Sequence, residues 1–202
     1  MADWAIALLS AAVAAALTIL GREIVEWWRR PRLEIDFEEV NGHKPYIHDL
    51  LRAAGEEVKP EMNKVMFLRL NVHNAGRNPA MNCEAKMTIL KEGKEEPETP
   101  IIHWTRKDPT IYKEIDQHFT PISVNRNDSE KLDTLILLYS SQGPEQVDKI
   151  GTLSHRRYFF ERHIPYHIKV TVYASNADPR DFKFTLYWDG TLDGFHKAVQ
   201  KL

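Results

Sequence analysis

The stretch His167-Ile168-Lys169-Val170-Thr171-Val172-Tyr173 alternates apolar and more polar side chains at every position. In an extended chain, successive side chains point to opposite faces, so Ile168, Val170 and Val172 share one face. A period of two over seven residues predicts a β-strand with that face on a core. The stretch 182–186, which reads Phe-Lys-Phe-Thr-Leu, repeats the pattern and predicts a second strand.

Further strand signals lie on both sides of these two stretches. The run 132–139 is almost continuously apolar, which predicts a strand covered on both faces. Turn signals rich in Asn, Asp, Gly and Pro occur at 74–76, 125–128 and 176–179. The remaining predicted strands are 33–37, 64–72, 80–90, 100–105 and 119–124. Two segments lack strand character: 43–60, read as helical or irregular, and 192–202, whose apolar residues fall on one helical face.

About eight strands without long intervening helices predict a mainly β fold, an antiparallel β-sandwich over residues 32–202. The composition agrees, with 43% hydrophobic and 28% charged residues, as in an ordinary globular domain. The net charge of −2 argues against general nucleic-acid binding, which requires a basic surface. The single cysteine, Cys83, excludes an intramolecular disulfide, and a buried apolar role is expected for it.

The N-terminal segment has a different character. Residues 4–20 read WAIALLSAAVAAALTIL, a run of 17 residues without a charge. As a helix this run covers roughly 25 Å, at the short end of a membrane span. Residues 1–31 are therefore predicted to be a transmembrane anchor that ends at Pro31. The residues expected at the membrane interface are Trp4, Arg22, Trp27, Trp28, Arg29, Arg30 and Arg32.

The flanking charges predict the orientation of this helix. Arginines follow the apolar run, whereas Asp3 is the sole charge before it, so the N-terminus is expected outside and residues 32–202 in the cytoplasm. A cleaved signal peptide would begin with basic residues, which are absent before this apolar run, and would end with small residues at its cleavage site. The segment could also form a buried helix of a globular fold or an interfacial helix. The run is apolar all round, which fits neither of these well.

Small residues recur along the predicted membrane helix. Ala7, Ala11 and Ala15 lie four residues apart, a spacing that lets two helix backbones approach closely in lipid. The sequence therefore suggests a homo-oligomer formed through this helix. Alanine is also simply acceptable in a membrane span, and that alternative stays open.

The segment 68–90 is LRLNVHNAGRNPAMNCEAKMTIL, in which an alternating strand leads through Asn74-Ala75-Gly76 to a second alternating strand. It resembles the strand–turn–strand of CARDB-type immunoglobulin-like domains. The whole layout resembles small single-pass prokaryotic membrane proteins with such a domain. The resemblance covers about one ninth of the chain and implies an immunoglobulin-like sandwich. Such domains are often extracellular, so the cytoplasmic placement expected here departs from their pattern.

No set of residues indicates catalysis or a cofactor. His155, His163 and His167 could share a metal only with further ligands at fitting distance, and Ser154-His155 lacks a nucleophile elbow. Phosphate-binding glycine loops are absent from the sequence. One basic and aromatic segment is a candidate binding patch. Alternatively, its aromatic side chains pack in the core and its arginines are simply exposed to solvent. The patch residues are Arg156, Arg157, Tyr158 and Arg162.

We expect a non-enzymatic interaction or scaffold module, held in the bilayer and recognising an unidentified protein partner, with no specific nucleic acid. One alternative is a self-assembling membrane effector that perturbs the bilayer, for example in a defence response. Another is a ligand or metal sensor that uses the region 155–167. No metal and no cofactor is predicted.

Overall fold

A computed structural model describes residues 2–42, 65–96, 102–105, 120–139, 147–152, 158–191 and 200–201. Within these ranges, one helix, α1 (Ala2–Arg29), precedes twelve strands. The strands are β1 (Leu33–Gly42), β2 (Val65–Asn74), β3 (Ala80–Lys91), β4 (Lys94–Glu95), β5 (His103–Thr105), β6 (Ile122–Val124), β7 (Ser129–Tyr139), β8 (Val147–Thr152), β9 (Phe159–Phe160), β10 (Tyr166–Ala174), β11 (Ala177–Leu186) and β12 (Gln200–Lys201).

The strands form two antiparallel sheets. The first has the order β1-β2-β7-β8-β9, with β5 also paired to β7. The second has the order β12-β11-β10-β3-β4, with β6 also paired to β3. The fold is therefore mainly β, as the strand patterns predict.

One hydrophobic core lies between the sheets. Ile168, Val170 and Val172 of β10 are buried in it, as the strict alternation predicts. Side chains of β2, β7 and β8 from the first sheet belong to the same cluster. At the open edge, Phe37 of β1 contacts Phe182 of β11, with ring centroids 4.8 Å apart and planes near perpendicular. Two sheets thus share a single core.

Strand β7 is covered on both faces. All seven side chains from Leu132 to Leu138 are buried, which confirms the prediction from its continuous apolar run. The buried set includes Asp133, whose carboxylate accepts a hydrogen bond from Arg69 Nε of β2 at 2.5 Å. Burying a carboxylate is costly unless it is paired, and Arg69 supplies that charge.

All eight predicted strands are present, with ends that differ by several residues. The strands that the sequence pattern did not reveal are β4, β8, β9 and β12. Three of them, β4, β9 and β12, have only two residues, and segments this short carry too few side chains for a period of two to stand out. The six residues of β8 lack a regular alternation of apolar and polar side chains.

Two local predictions are wrong. The turn expected at 176–179 lies at residues 175–176, and β11 already begins at Ala177. Asp178 and Pro179 instead form a bulge in β11, where proline costs no ladder hydrogen bond. The helical face predicted for 192–202 fails at 200–201, which pair with β11 as β12. The segment 43–60 and residues 192–199 lie outside the described residues.

Helix α1 leads directly into the sheets. It has 28 residues, and every described side chain from Ala12 to Arg30 is exposed. Within the part of the chain that the structure describes, no helix combines the length and the mean hydropathy that a membrane span needs.

Candidate functional site

The junction between α1 and β1 is short and fixed. The N–H of Arg30 still bonds to the carbonyl of Trp27, at 3.2 Å. Pro31 then ends the helix, because proline has no N–H to donate and its ring clashes with the preceding turn. Pro31 is buried, and Leu33 already belongs to β1 and to the core. So short a connection leaves little freedom between the helix and the sheets.

Asn74, the last residue of β2, ties this junction to two loops. Its side chain is fully buried. Its Oδ1 accepts hydrogen bonds from the N–H of Arg32 (3.1 Å) and of Gly76 (3.0 Å). Its Nδ2 donates to the carbonyls of Asn78 (2.9 Å) and Val124 (3.0 Å). These four bonds use the full capacity of an amide side chain.

Gly76 lets the loop after β2 lie against the end of the helix. A Cβ at this position would stand 2.6 Å from Cα of Pro31 and 2.7 Å from the carbonyl oxygen of Arg30. It would also collide with the backbone nitrogen of Arg32. Real Cβ atoms do not approach backbone this closely, so glycine is needed here for space.

The loop between β2 and β3 also holds the helix by a side-chain contact. The guanidinium carbon of Arg77 lies 3.1 Å from the centroid of a Trp28 ring. Such a cation–π contact contributes about 0.5–1 kcal/mol at an exposed site. On its other side, the loop bonds to the β10–β11 hairpin. The Nδ2 of Asn176 donates to the carbonyl of Pro79, and its Oδ1 accepts from the N–H of Met81, both at 2.9 Å.

The bulge in β11 brings two charged side chains to the same place. Asp178 and Pro179 together oppose Tyr173 of β10, and Arg180 then pairs with Val172. Arg180 has the parity of Phe182 and Phe184, which are buried in the core. It lies beyond the end of that core and is exposed. The side chain of Arg180 is on the inward face of β11 but beyond the core, and it therefore faces the helix junction.

These three elements enclose a cleft of about 440 Å³. One wall is the end of α1 and its connection, with Trp27, Trp28 and residues 30–32. The second wall is the loop 75–77, and the third is formed by Asp178 and Arg180 of β11. Four arginines line the cleft against one aspartate, so its charge is strongly positive. We call it the junction cleft.

Four of the seven residues predicted at the membrane interface line the junction cleft: Trp27, Trp28, Arg30 and Arg32. Arg22 lies elsewhere on α1 and pairs with Glu26 at 2.8 Å, one turn along the helix. Arg29 is exposed at the end of the helix and does not line the cleft.

The residues predicted for helix association lie on α1. Ala15 is exposed. The side chains of Trp4, Ala7 and Ala11 are outside those that the structure describes. Association through this face therefore stays a prediction.

The candidate patch at 156–162 is described only in part, because Arg156 and Arg157 lie outside the described residues. Tyr158 is half-buried, and its ring contacts Phe160 with centroids 5.1 Å apart. Burial raises the pKa of the Tyr158 phenol, so the hydroxyl stays neutral. Arg162 is exposed and lies over the Trp188 ring, 5.1 Å from its centroid. Tyr158 therefore turns toward the core, whereas Arg162 covers an indole.

Among the described residues, no three His, Cys, Asp or Glu side chains come together as a metal site would require. Both His163 and His167 are exposed, and His155 lies outside the described residues. Cys83 is fully buried, as expected, and burial raises the pKa of its thiol. A buried neutral thiol is a poor nucleophile.

Two of the four arginines that line the junction cleft, Arg77 and Arg180, are not among the predicted site residues. A signal for Arg180 is present in the sequence, because extending the alternation of 182–186 backward puts it on the inward parity. A charge in such a position indicates a special role. Arg77 carries no comparable signal, since loop residues have no periodicity.

Comparison with known proteins gives no family for this chain. No protein-family model matches it, and no curated protein matches it. One similar solved structure is described as "X-ray structure of Northeast Structural Genomics Consortium target SoR45". It shares 9% identity over 81% of this chain and 90% of that chain, with a TM-score of 0.33. At this TM-score, the likeness supports no argument about fold or function.

Proposed function

We propose that this chain is a membrane-anchored, non-enzymatic interaction module. Helix α1 would hold the chain in the bilayer, and the two-sheet body would recognise a protein partner on the cytoplasmic side. The observation that carries the proposal is an exposed apolar helix joined rigidly to a β-rich body. The immunoglobulin-like assignment, which rests on the segment 68–90, belongs to the same proposal.

The exposed apolar surface of α1 supports a membrane role. Large side chains are exposed on every side of its second half, where Leu17 is 65% exposed and Ile19 is 63% exposed. Val13, Leu20 and Ile24 are also more than half exposed. Burying a side chain of this kind gains about 1.5–3 kcal/mol. Because these five side chains are 51–65% exposed, burying their exposed parts in lipid would gain about 4–10 kcal/mol in total.

The end of α1 supports a placement at the bilayer surface. Tryptophans prefer the headgroup region, and Trp27 and Trp28 come just before the basic residues Arg29, Arg30 and Arg32. Anionic lipids of the cytoplasmic leaflet attract juxtamembrane arginines. The ion pair of Arg22 with Glu26 lowers the cost of having charges one or two turns before that boundary.

The junction supports a role in which orientation matters. Asn74 and Gly76 hold the first residues after the helix against the sheets, as described above. A flexible tether would let the body rotate freely, whereas this connection would keep one face of the body toward the bilayer if α1 spans it. A recognition module gains from such ordering, because less orientational freedom is lost when a partner binds.

The anchor is tested by alkaline extraction of membranes from cells that express the full chain. The wild-type chain should stay in the membrane pellet. Val13→Arg combined with Leu17→Arg should move it to the supernatant, because each arginine costs about 2.5–3.5 kcal/mol at a helix centre. Val13→Leu combined with Leu17→Val is the matched apolar control and should stay in the pellet. Release of the wild-type chain would refute the anchor.

The partner is tested by photo-crosslinking within intact membranes. A photoreactive residue on the exposed outer face of β11, at Lys183, should give a discrete adduct if that sheet recognises a protein.

The same probe at Ala15 reports on self-association of the helix. A dimer-sized adduct at Ala15 that disappears with Ala11→Leu would support a homo-oligomer. Turnover of a substrate that depends on a defined residue cluster would overturn the non-enzymatic part of the proposal.

A further inference from the structure

The junction cleft concentrates positive charge in a chain that is slightly acidic overall. Four positive charges and one negative charge line it, a net of +3, while the whole chain has a net charge of −2. The ion pairs identified within the described residues involve none of Arg30, Arg32 and Arg180. Like charges that share one cleft repel each other, and a bound anion removes that repulsion.

The cleft walls are held in place before any ligand arrives. Asn74 fixes the helix connection to the loop after β2, and Asn176 fixes that loop to the β10–β11 hairpin. The contact of Arg77 with Trp28 orients its guanidinium beside the indole. A site whose walls are already ordered loses less entropy when a ligand binds.

Side-chain chemistry narrows the class of anion. Guanidinium groups match phosphate oxygens in pairs of parallel hydrogen bonds, and several converging arginines are typical of phosphate recognition. A volume of about 440 Å³ lies within the range of small-molecule sites, so more than a bare ion fits. The helix dipole places the equivalent of about −0.5 charge at the C-terminal end of α1, which repels an anion. The net charge of +3 in the cleft outweighs this repulsion.

We propose that the junction cleft binds a phosphate group carried by an anionic ligand. Arg30, Arg32, Arg77 and Arg180 contact the phosphate oxygens, and Trp27 and Trp28 cover the organic part. Two sources share this chemistry: the headgroup of an anionic phospholipid and a free phosphate anion. The lipid source rests on the proposed membrane anchor, whereas the free anion does not.

The test uses the full chain purified in a neutral detergent, with isothermal titration calorimetry as the readout. The probes are short-chain phosphatidic acid, short-chain phosphatidylcholine and inorganic phosphate. We expect one equivalent of phosphatidic acid to bind and phosphatidylcholine to bind at least tenfold more weakly. Binding of phosphatidic acid at least tenfold tighter than inorganic phosphate assigns the lipid source, and any smaller difference assigns the free anion.

The variants connect binding to the cleft. Arg77→Gln combined with Arg180→Gln should weaken phosphatidic acid binding about 25-fold, since each basic residue contributes about fivefold near an anionic group. The matched control is Lys86→Gln combined with Lys183→Gln, which removes two exposed charges outside the cleft and should change the affinity less than twofold. Arg77→Lys with Arg180→Lys keeps the charge, is expected to fold normally and should give an intermediate affinity.

Two results would overturn the proposal. One is no binding of either phosphate probe to the wild-type chain at millimolar concentration. The other is an equal loss in the cleft variant and in its control, which would show attraction by overall charge alone. Because the titration is done in detergent, it does not depend on membrane insertion. A chain that binds phosphate but is released by alkaline extraction would therefore refute the anchor and keep the cleft.

Discussion

Replacing Asn74 with alanine is expected to destabilise the fold more than any other single polar change near the junction. The substitution removes all four side-chain hydrogen bonds of a fully buried residue. The bonds to the N–H of Gly76 and to the carbonyl of Val124 are themselves buried. A buried backbone group left without a partner costs about 1–3 kcal/mol.

The two part-buried partners, the N–H of Arg32 and the carbonyl of Asn78, can turn to water and cost less. The expected total is therefore about 4 kcal/mol of unfolding free energy. For a chain of this size, about 2–4 °C of melting temperature corresponds to each kcal/mol, so Tm should fall by about 8–16 °C. The loss should also loosen the helix junction, because one of the four bonds reaches Arg32 directly.

The assay is thermal unfolding of the full chain in neutral detergent, followed by near-ultraviolet circular dichroism. Asn78→Ala is the matched control: the same side chain is removed, yet Asn78 is exposed and contributes its backbone carbonyl to the network. The control should change Tm by less than about 2 °C, as an exposed position without special contacts does. A fall of less than about 3 °C for Asn74→Ala, or equal falls for both variants, would refute the reasoning.

Three further experiments, two with substitutions and one with a thiol reagent, test the packing around the site and the core. Gly76→Ala should lower Tm by several degrees, because the added Cβ collides with the backbone of the helix connection. Gly21→Ala is the control and should leave Tm unchanged in circular dichroism melts, because a Cβ added there meets no atom within 4 Å. Asp133→Ala should cost about 3–5 kcal/mol in chemical denaturation, because it breaks the ion pair between Asp133 and Arg69 beside the core. Asp133→Leu combined with Arg69→Met should recover most of that loss. Alkylation of Cys83 by iodoacetamide at pH 8 should follow the unfolded fraction, because burial raises the pKa of the thiol in the folded chain; rapid alkylation of the folded chain would contradict this.

The sequence pattern was sufficient for the parts of the fold where one strand carries its own signal. The alternation at 167–173 and the continuous apolar run at 132–139 predicted β10 and β7, because burial of one or two faces is evident directly from the side chains. β8 was missed for the opposite reason. It lies between β7 and β9, but Asp148, Lys149 and Gly151 interrupt its apolar residues. Its assignment as a strand rests on its pairing with β7 and β9, the strands that precede and follow it in the chain.

The candidate site was predictable only in part. Trp27, Trp28, Arg30 and Arg32 are recognisable as a group because they fall within the six residues 27–32, which follow an apolar run. Arg77 and Arg180 join them through the β2–β3 loop and the bulge in β11, and neither placement follows from local propensity. From the sequence, Asn74 is predicted only to favour a turn, whereas in the structure its side chain joins the helix connection to two loops.

The most direct test of the proposed function is protease protection of a chain that carries a tag at each end. The chain is expressed in cells from which sealed inside-out vesicles of the cytoplasmic membrane are prepared, and both tags are followed by immunoblot. We expect protease to remove the C-terminal tag and to leave the N-terminal tag protected until detergent opens the vesicles. Loss of both tags in sealed vesicles, or protection of the C-terminal tag alone, would contradict a spanning helix that holds the body in the cytoplasm.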